Sequence, residues 1–138
     1  MARKSKIWID TSFIYAFLKK NDVNNQRAVL SVRHLRTQPL ELFTSDLVVA
    51  ETYTLSRIRL GWEAAQDTLH LFDKLHAKLL FGNRQIMDAA KEWASWKDQD
   101  FSFVDCISFA WMKQLRIPSY LSFDHHFQTA GFTFYSEG

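Results

Sequence analysis

The chain has 138 residues, of which 47% are hydrophobic and 15% aromatic, enough apolar material to build the core of one compact domain spanning 1–138. Its formal net charge of +2 is too small to hold a polyanion by overall electrostatics, so any nucleic acid has to be gripped locally. A single cysteine, Cys106, excludes an internal disulfide framework and a thiolate metal cage, and the apolar run in the basic start MARKSKIWID is too short for a signal peptide or a membrane span; the expected setting is cytoplasmic, away from membranes.

In chain order, KIWI (Lys6 to Ile9) has the short apolar run of a buried strand. Thr11 and Ser12 follow as helix-cap candidates before FIYAFLKK, with Thr11 favoured as the cap. Residues 24–38 place Ala28, Val29, Val32 and Leu35 at helical spacing opposite Arg27, Arg33 and Arg36, which predicts an amphipathic helix with a basic outer face. After Pro39, LELFTS predicts a second strand, residues 46–60 a helix closed by Gly61, and WEAAQDTLHLFDKL a further helix. HAKLLFGN reads as a strand, and RQIMDAAKEWASWKD as a helix with Ile86, Ala89, Ala90, Trp93 and Trp96 along one side. FSFVDCISFA starts a buried helix running to about Leu115, where Phe101, Phe103 and Phe109 are expected in the core. Pro118 blocks that helix, SYLSF is a strand, and FTFY is a last edge strand. Short apolar strands alternating with helices predict a three-layer α/β/α domain with a mostly parallel central sheet.

That architecture locates the acidic residues. Functional groups of parallel sheets collect beyond the C-terminal strand ends, and Asp10 follows KIWI directly as Asp124 follows SYLSF. Glu51 lies about one and a half turns into the helix after the second strand, and Asp105 in the first turn of the helix that it interrupts. Each has an ordinary alternative: Asp10 and Asp124 as caps, Glu51 as a surface helix residue, and Asp105 as the end of the capping box Ser102-Phe103-Val104-Asp105. Together they form a costly cluster, because close carboxylates repel and resist desolvation unless they share protons or a cation. Oxygen ligands without Cys or His favour Mg²⁺ or Mn²⁺.

Four stretches, IDTSFIYAFL, TSDLVVAETYTL, DQDFSFVDCISFAWMKQLRI and SFDHHFQTAGF, occur in an order and spacing that resembles the PIN-domain family from Ile7 to Phe132. That family supplies many metal-dependent ribonucleases and the VapC-like toxins of VapBC toxin–antitoxin pairs. The resemblance implies that Asp10, Glu51, Asp105 and Asp124 are a catalytic acidic quartet binding one or two Mg²⁺ or Mn²⁺ ions. Asp10 and Asp105 would be the principal direct ligands, with Glu51 and Asp124 acting through water or on a second ion. It also implies that a hydroxyl of the DTS motif, Ser12 in preference to Thr11, steadies a metal-bound water or a phosphate.

The implied reaction is endonucleolytic hydrolysis of single-stranded or looped RNA leaving a 5′-phosphate, with no protein nucleophile. A small antitoxin covering the cleft and a homodimer built through helices near the start of the chain are the implied partners. His125 and His126 read as solvated surface residues, Asp100 as a loop residue, and Lys19, Lys20, Arg27, Arg33, Arg36, Arg57 and Arg59 as either a phosphate track or an ordinary solvated face. Two other readings stay open: a non-catalytic RNA-binding module with the same fold, and a DNA-acting metal-dependent nuclease.

Overall fold

The computed structural model describes residues 4–136, so part of the basic start of the chain lies outside the described residues. Five strands, β1 (Ser5–Ile9), β2 (Leu40–Ser45), β3 (Lys78–Leu80), β4 (Ser119–Leu121) and β5 (Thr133–Phe134), form one sheet in the order β3-β2-β1-β4-β5. Every pairing is parallel, with Trp8 opposite Phe43 and Ile9 opposite Leu121. The helices between them are α1 (Thr11–Leu18), α2 (Asn25–Leu35), α3 (Asp46–Leu60), α4 (Trp62–Lys74), α5 (Arg84–Ala94), α6 (Phe103–Leu115) and the single turn α7 (His126–Thr129). Contacts link α1 to α2, α3 and α4, and α6 to α5 and α7, giving a helical layer on either face of the sheet. No helix among the described residues is long and apolar enough to cross a membrane.

From β1 the chain first winds toward β3, then returns across the sheet to β4, so β1 and β4 flank the point where the winding direction reverses. There the connections leave in opposite directions and open a crevice at the strand ends. β1 is central, and Ile7, Trp8 and Ile9 are fully buried, which is why its apolar residues run without alternation. In α6, residues 105–112 are buried without interruption, as expected for a helix apolar on all sides that lies beneath a sheet. Arg116 ends α6 in the left-handed conformation (φ 55°) before Pro118.

Several local expectations need correction. Asp10, not Thr11, is the N-cap of α1, because its carboxylate is the group that reaches the Ser12 amide (3.5 Å). α2 ends at Leu35 rather than Gln38, in a turn closed by the Thr37 hydroxyl on the His34 carbonyl. Trp96 lies past the end of α5 and is 42% exposed, while Phe103, at the first position of α6, is 41% exposed instead of core. The aromatic core is formed instead by Phe109 against Trp93 (5.2 Å), Phe101 (5.1 Å), Phe127 (5.0 Å) and Phe132 (5.7 Å). The apolar faces of α1 and α2 are spent on the core through Phe13, Ile14, Val32 and Leu35.

Candidate metal centre

The β1–β4 register builds the first half of the site. Ile9 pairs with Leu121, so Asp10 and Ser122 leave the sheet side by side, and the Asp10 amide donates to the Leu121 carbonyl (3.1 Å). The Ser122 hydroxyl donates to Asp10 Oδ2 (3.0 Å) and accepts from the Asp124 amide (3.0 Å). Ser12 joins the same network: its hydroxyl lies 2.9 Å from that of Ser122 and 3.4 Å from Asp10 Oδ2, and accepts from the Phe123 amide (2.8 Å). Both chain ends of the crevice are therefore locked together by hydroxyl groups. Ser122 has no counterpart among the sequence-derived candidates; the serine two residues before Asp124 was the available signal.

The other half comes from two helix starts. Ser45 caps α3 by accepting from the Val48 amide (3.2 Å), and Val48 and Thr52 form its buried face, which brings half-buried Glu51 to the side of α1. Thr11 closes that contact: its hydroxyl accepts from Thr52 (3.0 Å), lies 3.5 Å from the Val48 carbonyl and hydrogen-bonds Glu51. Thr11 thus ties α1 to α3, whereas Ser12 faces Asp10. At α6 both arms of the capping box are made, from the Asp105 amide to the Ser102 hydroxyl (3.0 Å) and from the Ser102 amide to Asp105 Oδ2 (3.2 Å). The structural alternative for Asp105 is real, and it coexists with placement at the crevice.

Asp10, Glu51 and Asp105 each feel the charge of other acids in the crevice. Burial pushes Asp10 from an ordinary value of 3.8 up to about 7, reinforced by the charges of Asp105 and Glu51. Burial also raises Asp105, with Asp124 adding to it and His126 opposing it. Glu51 is raised by burial and then by Asp105 and Asp124, against its hydrogen bond from Thr11. Asp10 Oδ1 is buried and has no hydrogen-bond partner. A buried, unpartnered acceptor among repelling carboxylates fits a hard divalent cation, which neutralises the repulsion and supplies the missing partner. Cavities elsewhere, such as one between α5 and α6 lined by Trp93, Trp96 and Lys113, contain none of these acids.

One expectation fails at this site. His126 is not solvated: its side chain is 15% exposed, and Nδ1 lies 3.1 Å from both Asp105 Oδ2 and Asp124 Oδ1. It escapes a reading of the sequence because its contact with Asp105 joins residues 21 apart. His125 does remain exposed, with Nδ1 3.8 Å from Asp124. Of the basic residues, Arg27 reaches the site's edge, where its guanidinium lies 5.3 Å from the ring centres of both Phe123 and Phe134.

Residues 7–132 match the profile of the PIN domain. The chain is 32% identical over 127 residues to the 23S rRNA-specific endonuclease VapC20 of Mycobacterium tuberculosis, covering 91% of this chain and 95% of that protein. The crystal structure of M. tuberculosis VapC20, described as a sarcin-ricin loop cleaving toxin, superposes with a TM-score of 0.84 at 30% identity, over 95% of this chain and 99% of that one. FitAcB from Neisseria gonorrhoeae shares the fold (TM-score 0.66, 18% identity, 94% and 96% covered). The chain belongs to the PIN-domain family, whose nucleases generally depend on a divalent metal.

Proposed function

We propose that this protein is a Mg²⁺- or Mn²⁺-dependent endoribonuclease and the toxin of a toxin–antitoxin pair, with Asp10, Glu51, Asp105 and Asp124 as its acidic quartet. The observation that carries the reading is a buried Asp10 oxygen without a hydrogen-bond partner among the described residues, in a crevice where Asp105 and Glu51 act on Asp10 and Asp124 acts on both of them. Asp10 and Asp105, the more buried pair, are the direct ligands, and Glu51 and Asp124 act through water or on a second ion. A bound divalent ion supplies a water of lowered pKa and polarises the scissile phosphate. The protein supplies the rest. Ser122 and Ser12 hold Asp10 Oδ2 so that Oδ1 is presented, and Ser12 is placed beside the same carboxylate to steady a water or a phosphate oxygen. No side-chain nucleophile is needed.

The substrate is RNA with an accessible loop. VapC20 carries 23S rRNA in its name and sarcin-ricin loop cleavage in the description of its structure, which makes ribosomal RNA the first substrate to try. The partners are a small antitoxin that covers the crevice and a second copy of the chain, in the cytoplasm. The homodimer is built through helices near the start of the chain, where Val23, just ahead of α2, and Leu30 of α2 leave apolar surface exposed beyond the part of α1 and α2 that is spent on the core. A monomer mass by light scattering at micromolar concentration removes the dimer from this reading.

The deciding experiment is incubation of ribosomal RNA with the protein in Mg²⁺, in EDTA, and as Asp105→Asn, with circular dichroism to check folding. Cleavage only by the wild type in Mg²⁺, with product ends carrying 5′-phosphate, supports the assignment. RNA binding without cleavage, or cleavage indifferent to EDTA and to Asp105→Asn, overturns it in favour of a non-catalytic module. Cleavage of DNA alone moves the substrate class.

A further inference from the structure

The three aspartates of the crevice share a pattern that goes beyond their convergence. In each, one carboxylate oxygen is held by protein donors and the other accepts no hydrogen bond among the described residues. Asp10 Oδ2 is held by Ser122 and Ser12, and Oδ1 is unpartnered. Asp105 Oδ2 is held by the Ser102 amide and by a hydrogen bond with His126 Nδ1, and Asp124 Oδ1 by the His126 amide (2.9 Å), with the same Nδ1 lying 3.1 Å away. Among the described residues, His126 is the one side chain that lies within 3.1 Å of the carboxylates of two of the three. With Asp105 and Asp124 ionised, as they are when a cation is bound, Nδ1 faces two acceptor oxygens at 3.1 Å and carries the ring hydrogen.

The ring is set from behind. Phe101 packs edge-on against it (5.3 Å, 83°), and Phe101 is itself fixed by Phe109 (5.1 Å) and Trp96 (5.8 Å). The aromatic cluster beneath α5 and α6 therefore sets the position of an imidazole that joins the start of α6 to the loop after β4. Those two segments are separate in the chain, and among the described residues no other side chain approaches both of their carboxylates this closely.

We propose that His126 is a positioning residue of the metal centre: its Nδ1–H draws Asp105 and Asp124 together and selects which oxygen of each remains for the cation. The inference rests on the nuclease reading above. Carboxylates and imidazoles that ligate metals are commonly oriented by such outer hydrogen bonds, and loss of one costs about 10–100-fold in metal affinity.

The test is Mn²⁺ titration by calorimetry on the full chain as wild type, His126→Ala, His126→Asn and His126→Gln, with circular dichroism as the fold control. The Asn amide occupies the place of Nδ1–H, whereas the Gln amide lies nearer the position of Nε2. Expected is an affinity loss of about 10–100-fold for His126→Ala, recovery of most of it in His126→Asn, and poor recovery in His126→Gln. Should His126→Ala fail to fold, the contrast between Asn and Gln decides. Equal affinity in all folded variants overturns the proposal while leaving the nuclease reading intact. So does a nitrogen coupling in the Mn²⁺ electron paramagnetic resonance spectrum that disappears in His126→Asn, since His126 would then be a ligand. A wild type that binds no Mn²⁺ and cleaves no RNA removes the nuclease reading and this inference together.

Discussion

Asp10 bears the largest electrostatic penalty in the crevice, and its consequence for pH is direct. Desolvation, then the charges of Asp105 and Glu51, lift it from 3.8 to about 7, while Ser122 pulls the other way. As pH rises, the unfolded chain gives up this proton first, so the contribution of Asp10 to stability is fully present below about pH 4 and is lost as pH climbs through about 7. Asp10→Asn keeps a cap donor-acceptor at the start of α1 but removes the charge. In EDTA it is expected to be more stable than wild type at pH 8, on the order of 2–4 kcal/mol, with the gap shrinking toward pH 5. Urea denaturation at the two pH values measures this; an equal gap at both rules out Asp10 as the titrating group. Metal binding competes with the same proton, so Mn²⁺ affinity is expected to rise with pH up to about 7 and then level off.

The helices contribute through the faces that they turn inward and outward. α6 is buried along residues 105–112, and Phe109 fills its centre against four aromatic neighbours. Phe109→Ala is expected to cost about 3–5 kcal/mol, read as a lower urea midpoint with an unchanged slope. On the outer side, the basic face of α2 divides into an anchored residue and free ones. Arg27 is held over Phe123 and Phe134, next to the loop that carries Ser122 and Asp124, and no carboxylate pairs with it among the described residues. If the substrate backbone passes this edge, Arg27→Ala weakens RNA binding by the cleavage-dead Asp105→Asn protein and lowers the slope of log K against log salt by about 1. Arg33→Ala, on the same helix farther from the crevice, serves as the comparison. Equal effects from both reduce α2 to a diffuse positive face.

For the whole molecule, the acids place a destabilising charge cluster at the centre of the fold, and a ligand that binds only the folded state relieves it. A divalent ion at about 100 times its Kd is expected to add about 2.7 kcal/mol to the unfolding free energy. The melting temperature therefore rises with Mn²⁺, returns with EDTA, and stays flat in Asp105→Asn; a rise that survives Asp105→Asn places the ion elsewhere. The same crevice explains why four modest sequence signals have to be read together. Each acid alone also has a local duty, and three of those duties are made: Asp10 caps α1, Asp105 completes a capping box, and Asp124 accepts from the His126 amide at the start of α7.

What the amino-acid order determined by itself was the set of elements and the strand-end addresses of the acids. Apolar runs leading to Asp10 and Asp124, helical spacing from Asp46 to Leu60, and the Ser102–Asp105 box are all local patterns, set by the unbroken apolar run of a strand buried on both faces, the 3.6-fold repeat of a helix, and capping chemistry. Boundaries within the chain were less legible where a side chain could serve two ends, as at Asp10 and Thr11, or where helical spacing outran the helix, as at Trp96. Tertiary structure alone decided the rest. The β1–β4 register made Ser122 a neighbour of Asp10, and packing on Phe101 turned His126 from an apparently solvated histidine into a bridge between two carboxylates. Those partners are separated by 112 and 21 residues, and no local periodicity encodes which distant side chains an open parallel sheet and its covering helices will bring within hydrogen-bond reach.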